Sequence, residues 1–176
     1  MKKFGITLAV FLMTVILYGQ TVQITSDSKI KWTGEKAIGT HWGYLRFDSG
    51  ELVFDDNVLK GGHFVVDMKS LEVKDTSSKK LLAHIKSDDF FDVENYPTAE
   101  LDFKSVDDLG DGHYKVTGSF TIKGKSNDLS FKLTVEEKKA HSSFKFDRQE
   151  FDVKMKNSVK DAIVYDDIKL DIELKW

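Results

Sequence analysis

The sequence predicts a mainly β domain built from antiparallel strands around one short helix, and three observations carry that expectation. From Thr21 onward apolar residues recur at every second position, as in strands that bury one face. The alternation breaks only once, between Leu81 and Phe103. The last strand is the cleanest, with Ile168, Leu170, Ile172, Leu174 and Trp176 set against Lys169, Asp171, Glu173 and Lys175. Eight or so one-sided strands with too little helix to cover a sheet must close into a barrel or stack as a sandwich. Periodicity alone leaves both open.

In chain order, Met1-Lys2-Lys3 is a basic start and Phe4 to Leu17 an uncharged apolar run. This stretch is shorter than the ~20 residues of a spanning helix and reads as a secretory signal peptide over residues 1–19, cut after Gly19. No cysteine follows, so neither a lipoprotein anchor nor a disulfide framework is expected. Residues 20–176 are long enough for one domain burying about 70% of its unfolded surface. Removing Lys2 and Lys3 with the leader takes the formal charge from −3 to −5, which argues against nucleic acid and anionic lipid surfaces as partners.

Ile30 and Trp32 alternate with Lys29, Lys31 and Thr33. Gly39 to Phe47 puts His41, Gly43, Leu45 and Phe47 on one face, and Gly50 to Phe54 and Gly61 to Val73 continue as short strands across an Asp55-Asp56-Asn57 turn. Leu81, Leu82, Ile85 and Phe90 fall near a helical face, with Ser77 or Ser78 as cap and a stop expected near Asp89. Phe90, Phe91 and Val93 form an apolar plug, and Pro97, the only proline, starts the next strand. Leu101 and Phe103 follow, then a loop at Asp107–Gly112. Tyr114 to Ile122 and Leu129 to Val135 are further strands joined by a Gly124-Lys125-Ser126-Asn127 turn, with Phe144, Phe146, Phe151 and Val153 beyond.

No constellation carries catalysis. The five histidines lie more than twenty residues apart, without His-x-His or Glu-x-x-His spacing, so no metal centre or cofactor is expected. There is no Gly-x-Ser-x-Gly and no cysteine nucleophile. Asp88-Asp89 and Asp166-Asp167 read as solvated turn acids, and the interspersed charges as an outer sheet face.

The run His-Ile-Lys-Ser-Asp-Asp-Phe-Phe-Asp-Val-Glu-Asn-Tyr-Pro-Thr-Ala, His84 to Ala99, resembles the hallmark of the YceI-like family. Gly61 to Met68, Tyr114 to Gly124 and Phe144 to Arg148 fall in the matching order around it. The resemblance implies an extended lipocalin-like antiparallel β-barrel in the bacterial periplasm, holding a polyisoprenoid chain in an apolar channel, and it favours the barrel over the sandwich. The partner it implies is a long-chain isoprenoid lipid, without stable membrane insertion; oligomeric state stays open.

With thirteen Phe residues, the inward apolar face is the candidate ligand-binding surface. Its expected lining is Leu45, Phe47, Phe64, Val66, Leu101, Phe103, Val116, Phe120, Leu133, Phe144, Phe146 and Ile172, with Arg148 near the mouth. Arg148 has two readings: contact with a diphosphate or quinone head, or, preferred, a structural ion pair with Asp147 or a carboxylate of the central segment. His84 and Asp67 are expected to tie the helix to the wall. Two rivals remain: a small outer-membrane barrel, suggested by the alternating strand that ends on Trp176, and an enzyme on the same scaffold.

Overall fold

Alternation with few helix-forming stretches gives strands, and the strands close. The computed structural model describes residues 19–37, 39–156, 161 and 164–176; the expected signal peptide thus falls, but for Gly19, outside the described residues. In chain order come β1 (Gln20–Gln23), β2 (Lys29–Lys36), β3 (Thr40–Asp55), β4 (Val58–Asp67), a 3-10 turn (Met68–Ser70), α1 (Lys79–Lys86), β5 (Thr98–Gly110), β6 (His113–Ile122), β7 (Lys125–Val135), β8 (Lys139–Asp147), a second 3-10 turn (Arg148–Phe151) and β9 (Val164–Lys175).

All neighbours are antiparallel, in the order β3-β2-β9-β8-β7-β6-β5-β4, and β4 returns to β3 to close eight strands. β1 extends the edge that β2 forms on β3, pairing Gln20 with Phe54 and Gln23 with Glu51. The expected antiparallel barrel of about eight strands with one short helix is therefore the fold found.

Three bulges explain why the strands read as shorter pieces than they are. The β3–β4 register shifts between Phe47 and Ser49, and again between Val53 and Phe54. The β5–β6 register shifts between Phe103 and Ser105. Each extra residue turns the following side chains to the opposite face. In β3 the inward set is His41, Gly43, Leu45 and Phe47 before the first bulge and Gly50, Leu52 and Phe54 after it. One strand of 16 residues thus carries two phases of alternation. The expected loop at Asp107–Gly112 is likewise mostly strand: Asp107 pairs with Lys115 and Asp108 with Tyr114. The reversal is confined to Asp111 and Gly112, both at positive φ.

Two interior clusters fill the barrel. One, with Leu52, Leu59, Val116 and Leu133, lies towards the tight β3–β4, β5–β6 and β7–β8 turns. The other, with Met68, Ile85, Phe90, Val93, Phe151 and Val153, lies under the long β4–β5 and β8–β9 connections. The wall is uneven. β6 and β7 share ten residue pairs from His113↔Thr134 to Ile122↔Lys125, but β7 and β8 pair only at Thr134↔His141 and Val135↔Ala140. Beyond that ladder the seam is held by side chains. Phe131 stacks on Phe144 at 4.7 Å, and Ser142 Oγ donates to the Lys132 carbonyl at 2.7 Å.

Candidate functional site

The long β4–β5 connection builds the lid over one barrel end. Ser78 caps α1, its Oγ accepting from the Leu81 N–H at 3.2 Å. α1 ends at Lys86, earlier than Asp89, because the chain folds back on itself. The Phe91 N–H reaches the Ile85 carbonyl and the Val93 N–H the Lys86 carbonyl. This tight reversal drives Phe90 and Val93 into the core at 8% and 2% exposure, with Phe91 packed edge-on to Phe90.

The ties between lid and wall differ from those expected. Asp67 caps the first 3-10 turn through the Lys69 N–H instead of holding α1. His84 lies 3.7 Å from Asp89, beyond hydrogen-bond reach. The anchors are lysines: Lys86 Nζ donates to the Lys69 carbonyl, and Lys123 Nζ to the carbonyls of Phe90 and Asp152. Asp88 pairs with Lys156 at 2.6 Å. The salt bridge holds the Asp88 carboxyl below its ordinary range.

Between Asp67 and α1 a strap runs alongside the first half of β3, where β4 no longer reaches. The Glu72 N–H bonds the Tyr44 carbonyl and the Lys74 N–H the Trp42 carbonyl. Gly43 permits this approach, since a Cβ there would lie 1.7 Å from the Glu72 oxygen. That same oxygen accepts from Trp32 Nε1 at 3.0 Å. The strap ends on Asp75, whose Oδ1 accepts from the Trp42 N–H at 2.9 Å and whose Oδ2 meets His41 Nδ1 at 2.7 Å. Burial raises the Asp75 pKa, but these bonds outweigh it and hold the carboxyl below its ordinary value.

Arg148 is wholly buried. Its guanidinium donates to Asp161 Oδ1 at 2.7 Å, Asp166 Oδ1 at 3.0 Å, and the carbonyls of Val153, Asp161, Val164 and Tyr165. Its carboxylate partners are therefore Asp161 of the β8–β9 connection and Asp166 near the start of β9. Neither Asp147, which caps the second 3-10 turn through the Gln149 N–H, nor the central segment supplies one. Asp166 and Asp167 are solvent-exposed, as expected, but they lie in β9 and not in a turn, and Asp166 reaches in to the buried Arg148. With all these acceptors satisfied, the arginine holds the connection in place; its donors do not face a ligand.

Inside this frame runs one cavity of about 160 Å3, lined almost wholly by apolar side chains. It begins where Glu35, Lys36, His41, Leu81, His84, Met155 and Tyr165 meet, and reaches Phe131, Leu133 and Leu174 near the opposite end. Val164 and Leu174 of β9 both line it. Ten residues of strand at ~3.3 Å each, tilted by ~40°, give a length of about 25 Å. So small a volume over that length is a narrow thread.

Twelve of the thirteen expected lining residues border this cavity: Leu45, Phe47, Phe64, Val66, Leu101, Phe103, Phe120, Leu133, Phe144, Phe146, Arg148 and Ile172. Val116 does not. It is 0% exposed, packed in the cluster of Leu52, Leu59 and Leu133. Sequence reasoning missed the lining supplied by Ile30, Trp32, Met68, Leu71, Phe90 and Met155. Ile30 and Trp32 carried the right signal, since they share the inward parity of β2. Met68, Leu71 and Met155 lie in irregular connections, where no period marks the inner face. Among the described residues no cluster of His, Cys, Asp or Glu could hold a metal ion.

The sequence model of the YceI-like domain matches residues 3–176. The chain belongs to the YceI-like family. A UPF0312 protein of Pseudomonas putida is 32% identical over 108 residues, 61% of this chain and 54% of that protein, so the match spans about half the relative's length. The crystal structure of Burkholderia cenocepacia BcnA superposes with a TM-score of 0.74 at 22% identity, over 84% of this chain and 94% of that one. A polyisoprenoid binding domain from Saccharophagus degradans, implicated in plant cell wall breakdown, superposes with a TM-score of 0.58 at 14% identity, over 88% and 97%. At these identities the YceI-like neighbours establish the shared barrel.

Proposed function

We propose that this YceI-like protein is a secreted, periplasmic binding protein that holds a polyisoprenoid or isoprenoid-quinone-type lipid in its barrel, and that it is not an enzyme. The observation that carries the reading is the apolar thread of about 160 Å3 running beneath a tied-down lid. A linear isoprenoid needs contact area and no directional bonds along its tail. Burying some 300 Å2 at ~25 cal/mol per Å2 contributes about 7 kcal/mol before ordering costs. The name of the Saccharophagus degradans neighbour, a polyisoprenoid binding domain, points the same way. The apolar leader of residues 4–17 supports export.

The outer wall counts against membrane insertion. The outward positions of neighbouring strands carry exposed polar pairs such as His63–Asp102, Lys104–Asp128 and Lys145–Asp167. A membrane barrel presents an apolar band there.

Native mass spectrometry of protein purified from its own envelope, followed by lipid extraction, tests the proposal. A co-purifying molecule of isoprenoid mass is expected in the soluble periplasmic fraction. Protein that is always empty, and whose melting temperature does not rise with added prenyl lipids or quinones, would defeat it.

A further inference from the structure

The apolar thread fixes what the ligand's tail must be; the mouth bears on its head. Arg148, the buried cation nearest the chemistry of a phosphate, is engaged by two carboxylates and four carbonyls. Glu35 and Lys36 stand side by side at the rim, so their charges offset. Two histidines also border the mouth, and they differ in one respect. His84 has its nearest carboxylate at 3.7 Å, so nothing fixes its tautomer. His41 is bound at Nδ1 by Asp75 at 2.7 Å, and among the described residues its Nε2 has no hydrogen-bond partner.

Asp75 can only accept from a neutral imidazole, so it selects the tautomer with the proton on Nδ1. Nε2 is then a lone pair on a side chain that lines the channel. We propose that His41 reads the ligand's head group, accepting a hydrogen bond from an uncharged alcohol or phenol O–H through Nε2. This rests on the carrier reading and adds the head-group class to it. The strap serves the purpose directly: Gly43 lets it approach β3, and its last residue orients the imidazole.

The arrangement makes an unusual variant informative. Asp75 Oδ1 accepts from the Trp42 N–H. In Asp75→Asn the amide oxygen must keep that bond, which turns the NH2 group towards His41 Nδ1. Nδ1 then accepts, the proton moves to Nε2, and the mouth presents a donor where it presented an acceptor. A donor serves an alcohol oxygen and an ether oxygen alike, so the alcohol preference is lost while the apolar channel is untouched.

Delipidated protein is titrated with geranylgeraniol, its methyl ether and its monophosphate, followed by the fluorescence of Trp32, which lines the channel. One neutral hydrogen bond corresponds to an alcohol preference over the ether of about five-fold in the wild type. The monophosphate binds no tighter than the alcohol. His41→Leu removes the alcohol preference and leaves ether affinity within about two-fold. In Asp75→Asn the ether draws level with the alcohol, and 15N chemical shifts of the imidazole report the exchanged tautomer. Equal binding of alcohol and ether by the wild type, or a preference that survives His41→Leu in a protein that still melts cooperatively, overturns the assignment while the carrier reading stands. Tightest binding of the monophosphate overturns it too. Failure of all three to bind overturns both.

Discussion

Leu52, Leu59 and Val116 at one end of the barrel are 0%, 1% and 0% exposed, whereas Leu45, Phe47, Val66, Leu81 and Phe91 towards the other are only partly buried. The residue types are the same, and the apolar interior is continuous between them. What differs is how each end is closed. Tight turns such as Asp56-Asn57 and Asp111-Gly112 pull strand pairs together, so side chains from facing walls meet and fill the space. At the other end, beside the tight Lys123-Gly124 turn of β6–β7, residues 68–97 and the described part of the β8–β9 connection, 148–156 and Asp161, pack against the walls. A filled core and a channel therefore arise from one alternating pattern, distinguished by the length of the connections.

The comparison breaks most severely if these connections are released. Arg148→Ala orphans Asp161 and a set of buried carbonyls at once, so a loss of about 3–5 kcal/mol is expected in denaturant titrations. Arg148→Lys should rescue little, because one ammonium cannot meet acceptors spread around a planar fork. Near-wild-type stability in either variant would mean that the β8–β9 connection is not held by the arginine.

This clamp also marks the limit of what the sequence revealed. Strand parity was legible, since water on one side and core on the other impose it, and eleven apolar lining residues followed from it. The bulges at Asp48, Lys60 and Lys104 were not, because an extra residue resembles the end of one strand and the start of another. The carboxylate partners of Arg148 lie 13 and 18 residues away, Asp161 in the β8–β9 connection and Asp166 at an exposed position of β9, where no periodicity ranks one aspartate above another. The sparse ladder between β7 and β8 was equally hidden: Leu129, Phe131 and Leu133 alternate as cleanly as any paired strand.

A smaller effect separates the two ends by function. Leu52→Ala, in the filled end, should cost about 3 kcal/mol and leave lipid affinity unchanged. Phe120→Asp, in the channel wall, should expel the lipid, because a desolvated carboxylate there has no partner. Lipid loss caused by Leu52→Ala would show that the channel runs deeper than its present lining.

The plug supplies a comparison within one end. Phe90 is 8% exposed and lies beneath Phe91, so Phe90→Ala should cost about 3 kcal/mol or more. Phe91 is half-buried and faces the cavity, so its truncation should cost only about 1 kcal/mol, against the 3–5 expected of a buried ring. Paired thermal melts distinguish them. Equal losses would make Phe91 a second anchor and not channel lining.

The smallest expected difference is in acid. Burial raises the Asp161 pKa, but hydrogen bonds from Arg148, the Met155 N–H and Gln149 outweigh it and keep the carboxyl below its ordinary value. A carboxyl depressed in the folded state binds its proton more readily when unfolded. Its contribution is thus fully present above the unfolded value of about 3.9 and is lost as pH falls through the lower folded value. Asp75 at the mouth behaves in the same direction. Towards the filled end, Glu136 is also depressed, by its bond to Lys139, but that pair is exposed and screened by solvent. Melting temperatures measured from pH 6 down to pH 2.5 should therefore fall less steeply below pH 4 in Asp161→Asn than in the wild type, while Glu136→Gln follows the wild-type curve. Parallel curves for all three would remove Asp161 as the acid-sensitive tie, and with it the expectation that protonation loosens the lidded end before the filled one.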